Sequence, residues 1–346
     1  MKLFLILLPF FLFLGSCSRV HLLGMQKHEF SVQPKHIIWF QLAGLNEEHV
    51  AMLRFATLPN ERKSSLESMD CLGKMWNYNF YKIRPQSNLG FLAQMVGKDN
   101  IKNSCADYSY SPAWNILEKL NYRTYILENG ANGPKSLLNS LNCPASGGGS
   151  FLDQVTLWSM AKTATESDLL FHYQDKTIEG IDKPVIAFDR ACQNGICFSS
   201  LTENVRSLYR RIVLDKKSYL FIIRDFNLES KLKEGKIAET REVLSEYEKL
   251  LSYFKDEATG NPLMEIVVTS SAALPIEYPD QGVPWIEFEN QGKNILYKKT
   301  ALTSPAFAFG AGSENFCGFF NESEVYSRLL WFKTDRDKKG GAGFWF

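Results

Sequence analysis

Met264-Glu265-Ile266-Val267-Val268-Thr269-Ser270-Ser271-Ala272-Ala273 reads as a strand buried on both faces, because its apolar run is short, β-branched and does not alternate with polar residues. Upstream, apolar residues recur at Ile237, Leu244, Tyr247, Leu251 and Phe254, with Val243 and Leu250 widening the stripe. That spacing predicts one face of a long amphipathic helix. Gly260-Asn261-Pro262 closes the turn between helix and strand. Working outward, strands are expected at His36–Leu42, Tyr122–Leu127, Pro184–Phe188, Tyr219–Ile223 and Thr303–Phe309. Helices are expected at Glu47–Phe55, Leu66–Met75, Pro112–Leu120 and Glu322–Phe332. The alternation implies an α/β fold with a mostly parallel central sheet and helices on both faces. The glycine run in Ala145–Ser150 is either a surface loop or the hinge of a lid.

The first residues place the chain before they say what it does. Lys2 precedes an unbroken apolar or Pro-containing run from Leu3 to Leu14, the pattern of a secretory leader and too short to span a bilayer. It ends in Leu14-Gly15-Ser16-Cys17, which resembles the lipobox of bacterial lipoproteins. That resemblance implies cleavage before Cys17, acylation of its thiol with palmitate-type chains, and a membrane anchor. Ser18 after the cysteine points to the outer membrane of a bacterial cell envelope. The expected organisation is a leader at 1–16, lipidated Cys17 and tether at 17–35, one domain at 36–335 and a tail at 336–346. The tail ends in Gly343-Phe344-Trp345-Phe346, which either packs back on the domain or docks on a partner.

With 39 basic and 38 acidic residues the net charge is +1, which gives no electrostatic case for nucleic acid. Six cysteines remain beyond Cys17, an even number that favours disulfides in an exported chain. Cys192 and Cys197 flank an Asn-Gly turn signal and are the expected local pair. Cys105 with Cys143 is the favoured second pair, and the partners of Cys71 and Cys317 stay open.

Several blocks, in order, resemble the alkaline phosphatase and sulfatase superfamily. Val267-Val268-Thr269-Ser270 matches a strand that in that superfamily ends in Thr-Ser-Asp-His-Gly. Ile37 to Leu45 is similar to its first strand, which ends in Asp-Gly-Leu; here Ala43 stands in place of the Asp. Leu58-Pro59-Asn60 and Ser64 to Met69 resemble the nucleophile turn and the helix behind it, with Arg62 or Lys63 nearest the nucleophile position. Lys293-Asn294-Ile295-Leu296-Tyr297 followed by Ser304-Pro305 is similar to a sulfatase run whose lysine contacts substrate.

The resemblance implies a metal-activated nucleophile, with Zn²⁺, Ca²⁺ or Mg²⁺ held by carboxylates and imidazoles at the carboxyl ends of the strands. The chain departs from that pattern at Ala43, Arg62, Ser271 and Ala272. Its five histidines, at 21, 28, 36, 49 and 172, leave the second half with no imidazole. No metal or other cofactor is therefore expected. Ser64, Ser65, Asp225 and Lys293 are the weak catalytic candidates. Asp225 with Glu229 would make an oxygen-only Ca²⁺ or Mg²⁺ site, against the plainer reading of two solvated carboxylates. Ser64 and Ser65 would otherwise cap a turn, and Arg62 with Lys293 would bind an anion without turning it over. Two functions follow: a lipid-anchored, non-catalytic binding or scaffold module, and a diverged hydrolase or transferase of phosphate or sulfate esters.

Overall fold

The computed structural model describes residues 33–56, 63–79, 82–102, 107, 112–131, 133–137, 154–160, 169–172, 174, 186–193 and 196–330. All of them belong to the unit Ser31–Phe346. Cys17, Arg62, Cys105, Cys143, the Ala145–Ser150 run and the tail lie outside the described residues.

The strands are β1 (His36–Ala43), β2 (Cys71–Trp76), β3 (Tyr122–Asn129), β4 (Val155–Met160), β5 (Leu169–Phe171), β6 (Ile186–Asp189), β7 (Cys192–Gln193), β8 (Ile196–Cys197), β9 (Ser218–Asp225), β10 (Met264–Ser271), β11 (Ile276–Glu277), β12 (Leu296–Tyr297), β13 (Thr303–Gly310) and β14 (Gly318–Asn321). Ten form one sheet in the order β14-β2-β13-β10-β1-β9-β3-β4-β6-β5. Its pairs are parallel except where β13 runs against β10 and β2. The central strands β1, β9 and β10 are almost wholly buried, which is why their sequences are continuous apolar runs.

The helices are α1 (Glu47–Ala56), α2 (Ser87–Val96), α3 (Ala113–Lys119), α4 (Leu201–Ile212), α5 (Asn227–Lys233), α6 (Ile237–Thr259), α7 (Val283–Gln291) and α8 (Glu324–Leu329). They divide the core in two. Ile38, Phe40 and Leu42 of β1 pack with apolar residues of α1, α4 and α6, while Ile37 and Trp39 face those of α2, α3 and α8. The long helix α6 buries Leu244, Tyr247, Leu251 and Phe254 as the stripe requires. Ser200 and Glu203 form a reciprocal capping box that starts α4. No helix among the described residues is long and apolar enough to cross a membrane.

Two expected helices are corrected. Leu66–Met75 is a single 3₁₀ turn at Leu66–Ser68 followed by β2. Cys71, Gly73 and Met75 are buried while Leu72 and Trp76 are exposed, so the period is two. Gly73 permits this strand, since a Cβ there would meet the Phe316 carbonyl oxygen at 2.1 Å. The closing helix starts at Glu324, because Asn321 still belongs to β14. The Cys192–Cys197 disulfide is present, and a second joins Cys71 to Cys317, tying β2 to the chain entering β14.

Candidate functional site

Parallel strands bring their carboxyl ends to one edge of the sheet, and register decides which residues meet there. Ala43 pairs with Ser271, and Leu42 pairs with Asp225, so β10, β1 and β9 place Ala43, Ser271, Ala272 and Asp225 at one locus. Asn129 of β3 lies opposite Asp225. The floor is apolar: Ala43 clusters with Phe91, Ala131 and Phe226. Gly44, at φ 83°, brings the chain against α5, where a Cβ would sit 3.1 Å from the Glu229 Cα.

Asp225 and Glu229 are buried, contrary to the expectation of two solvated carboxylates. The cause is the helix between them: α5 begins two residues after β9 ends and folds back over the strand end. The Asp225 carboxylate accepts the Asn227 N–H at 2.7 Å and the Asn129 amide at 3.4 Å. Burial pushes its pKa up to about 6, against the pull of these donors. Glu229 is held differently. Its carboxylate accepts from Lys135 Nζ and Ser87 Oγ at 2.8 Å each and from Lys233 Nζ at 2.5 Å. Burial opposes its charge, yet the two ammonium groups hold its pKa below the usual carboxylate range. Lys135 Nζ also lies 5.2 Å over the Phe226 ring. Beneath it, Arg224 pairs with buried Glu128 at 3.3 Å and donates to the Lys135 carbonyl at 3.3 Å.

On the other side of β1, Ser271 Oγ donates to Glu322 at 3.0 Å. Both groups press on Gly90 of α2, where a Cβ would fall 1.8 Å from Ser271 Oγ. Burial raises the Glu322 pKa to about 8, so the carboxyl is mostly protonated at neutral pH. Its folded value exceeds its unfolded one. Stability present at low pH is therefore lost as pH rises from the unfolded value of about 4.5 to about 8. Glu322→Gln is expected to remove that loss, stabilising the domain at pH 8 and leaving pH 4 nearly unchanged. Urea midpoints of both proteins across this range check it. Ala272, at φ 51°, occupies a left-handed conformation that side chains disfavour. The Asn77 amide oxygen, suitably oriented, accepts its N–H at 3.2 Å.

The other candidates are elsewhere. Ser64 exchanges hydrogen bonds with Glu67, and Ser65 Oγ donates to Glu248 of α6 at 2.8 Å. The Ser64 hydroxyl is thus committed to its own turn and the Ser65 hydroxyl to α6. Lys293 is an exposed side chain after Gly292, which packs on Ile237. His36 stacks on Tyr219 at the opposite end of β1. His49 is fully buried, accepts the Asn46 N–H at 3.0 Å, and is pushed by burial to a pKa of about 3, so it is neutral. Sequence reasoning missed Lys135, Ser87 and Glu322; only their charge or hydroxyl, without spacing, marked them.

No protein-family model matches the chain, and no curated protein matches it. Solved structures do. Alkaline phosphatase from Thermus thermophilus superposes with a TM-score of 0.67 at 9% identity, covering 87% of this chain and 91% of that one. The alkaline phosphatase of the Antarctic bacterium TAB5 gives 0.62 at 13% identity, covering 86% and 98%. Lipoteichoic acid synthase LtaP from Listeria monocytogenes gives 0.51 at 12%, covering 89% and 74%. The fold is therefore similar to that of these alkaline phosphatases.

The sequence resemblance implies divalent metals at the carboxyl ends of the strands, and the side chains gathered there offer few donors for one. Ala43 and Ala272 bring no donor atom. Ser271 is spent on Glu322, and two ammonium groups already flank Glu229 where a cation would have to approach. Among the described residues no group of three or more His, Cys, Asp and Glu side chains is placed to hold a metal ion.

Proposed function

We propose that the chain is a lipid-anchored, non-catalytic module of the bacterial envelope, using an alkaline-phosphatase-like domain to bind or scaffold, with no catalytic metal. The observation that supports this most is the Lys135–Glu229–Lys233 clamp, which fills with internal ion pairs the carboxyl edge of the sheet, where open α/β folds generally bind ligands. A hydroxyl nucleophile needs a base or a metal to lower its pKa. Ser271 is instead hydrogen-bonded to a carboxyl group held largely protonated by burial. Anchoring rests on Leu14-Gly15-Ser16-Cys17, and the targets in view are an anionic ligand or a protein, not nucleic acid.

Metal analysis of the purified protein, with an aryl phosphate and aryl sulfate panel, tests the reading. No stoichiometric metal and no turnover are expected. Stoichiometric zinc with turnover lost on chelation overturns it in favour of a diverged ester hydrolase or transferase. Labelled palmitate tests the anchor: incorporation is expected in the native chain and none in Cys17→Ser.

A further inference from the structure

We propose that the face of β2 and β14 left uncovered by the described residues is the interface of a two-fold dimer, occupied by a second copy of this chain. On the side of the sheet packed by α1 and α6, helical cover ends over β13. Phe307 of β13 is buried, whereas Leu72, its partner in register on β2, is 62% exposed. Residues two apart on a strand share a face, so Leu72, Lys74 and Trp76 form one row. Phe319 lies beside Lys74, and Asn321 beside Trp76, which carries the same face onto β14. Phe319 is 68% exposed. Past the strand ends, Tyr78, Ile83 and Leu302 join Trp76 and Asn321 around an open groove of about 670 Å³.

Three features favour a second copy as the occupant. The six apolar side chains of this strip expose on the order of 700 Å², close to the ~800 Å² per partner of a standard interface. The charge in the row, Lys74, is already paired with Glu47 at 2.8 Å, and a net charge of +1 sets up no repulsion between copies. The outer strand Gly318-Phe319-Phe320-Asn321 also lacks the lysine or proline that blunts exposed edges. An isologous contact then sets one apolar strip against its own copy, as closed two-fold dimers do.

Sedimentation velocity on the full chain carrying Cys17→Ser, so that acylation plays no part, tests this. A dimer is expected from about 10 μM upward, the range of a micromolar association. Phe319→Glu and, independently, Leu72→Lys should give monomers with unchanged circular dichroism, and with native urea midpoints at about 0.1 μM, where all three proteins are monomeric. A native chain that stays monomeric to about 100 μM, or a dimer that persists in both variants, overturns the proposal. Neither result bears on catalysis, so it stands or falls apart from the proposed function.

Discussion

Lys135→Met is expected to lower the unfolding free energy by about 2–4 kcal/mol at pH 7, as removal of one partner from a buried ion pair does. The Glu229 side chain is 3% exposed, and Lys135 is the better shielded of its two ammonium partners. Without it, Glu229 keeps Ser87 and the half-exposed Lys233, whose screened charge replaces little of the loss. The pH dependence identifies the cause. Glu229 has a folded pKa below its unfolded value, so its contribution is present above about pH 4.5 and is lost as pH falls through the folded value. The difference between native and Lys135→Met proteins should shrink in acid. Adding Glu229→Gln to Lys135→Met should recover much of the stability, because a neutral amide still accepts from Ser87 and leaves no unpaired charge. Urea unfolding of the three proteins at neutral and acid pH decides it. A cost equal at both pH values would assign the effect to packing of the lysine stem over Phe226.

The clamp is one of several ways in which this edge neutralises its buried carboxyl groups with its own side chains. In a metal centre, the cation neutralises carboxylates gathered at the strand ends. Here each buried carboxyl group has another solution. Glu229 has two lysines, Glu128 has Arg224, Asp225 has amide donors and a raised pKa, and Glu322 is largely protonated beside Ser271. The four carboxyl groups sit on β3, β9, α5 and the turn after β14. A carboxylate introduced by Ser271→Asp would be set against Glu322 and the close approach of Gly90.

Some of this was legible in the sequence for definite reasons. β1, β9 and β10 are buried on both faces and announce themselves as apolar runs. α6 has one wet face and therefore a period. α2 has neither signal: Ser87, Gly90, Phe91 and Gln94 are all buried, so no polar stripe marks it. β2 was misread because Lys74 and Met75 follow the Leu66–Ser68 turn closely enough to extend a helical pattern. Asp225 and Glu229 stand out by position, but the ion pair that holds Glu229 charged comes from Lys135, 94 residues away and in no recognisable spacing. Cys71 and Cys317 were left unassigned for the same reason, being 246 residues apart.

That long span makes the Cys71–Cys317 bond the larger of the two described disulfide contributions. Closing a loop in the unfolded chain removes entropy that grows with the logarithm of its length. For 246 residues the chain-entropy relation gives about 5.5 kcal/mol, against ~2 kcal/mol for the five-residue separation of Cys192 and Cys197. The bond also closes the sheet's margin, since β14 pairs with β2 and continues into Glu322 and α8. Cys71→Ser with Cys317→Ser should therefore cost about 4–5 kcal/mol in urea unfolding and Cys192→Ser with Cys197→Ser about 2 kcal/mol. Loosening should concentrate at one margin: amide exchange should rise in β14 and α8 and change little in β1, β9 and β10. If the two double variants lose equal stability, loop entropy is not the source. If exchange rises uniformly, the bond supports the whole sheet and not its edge.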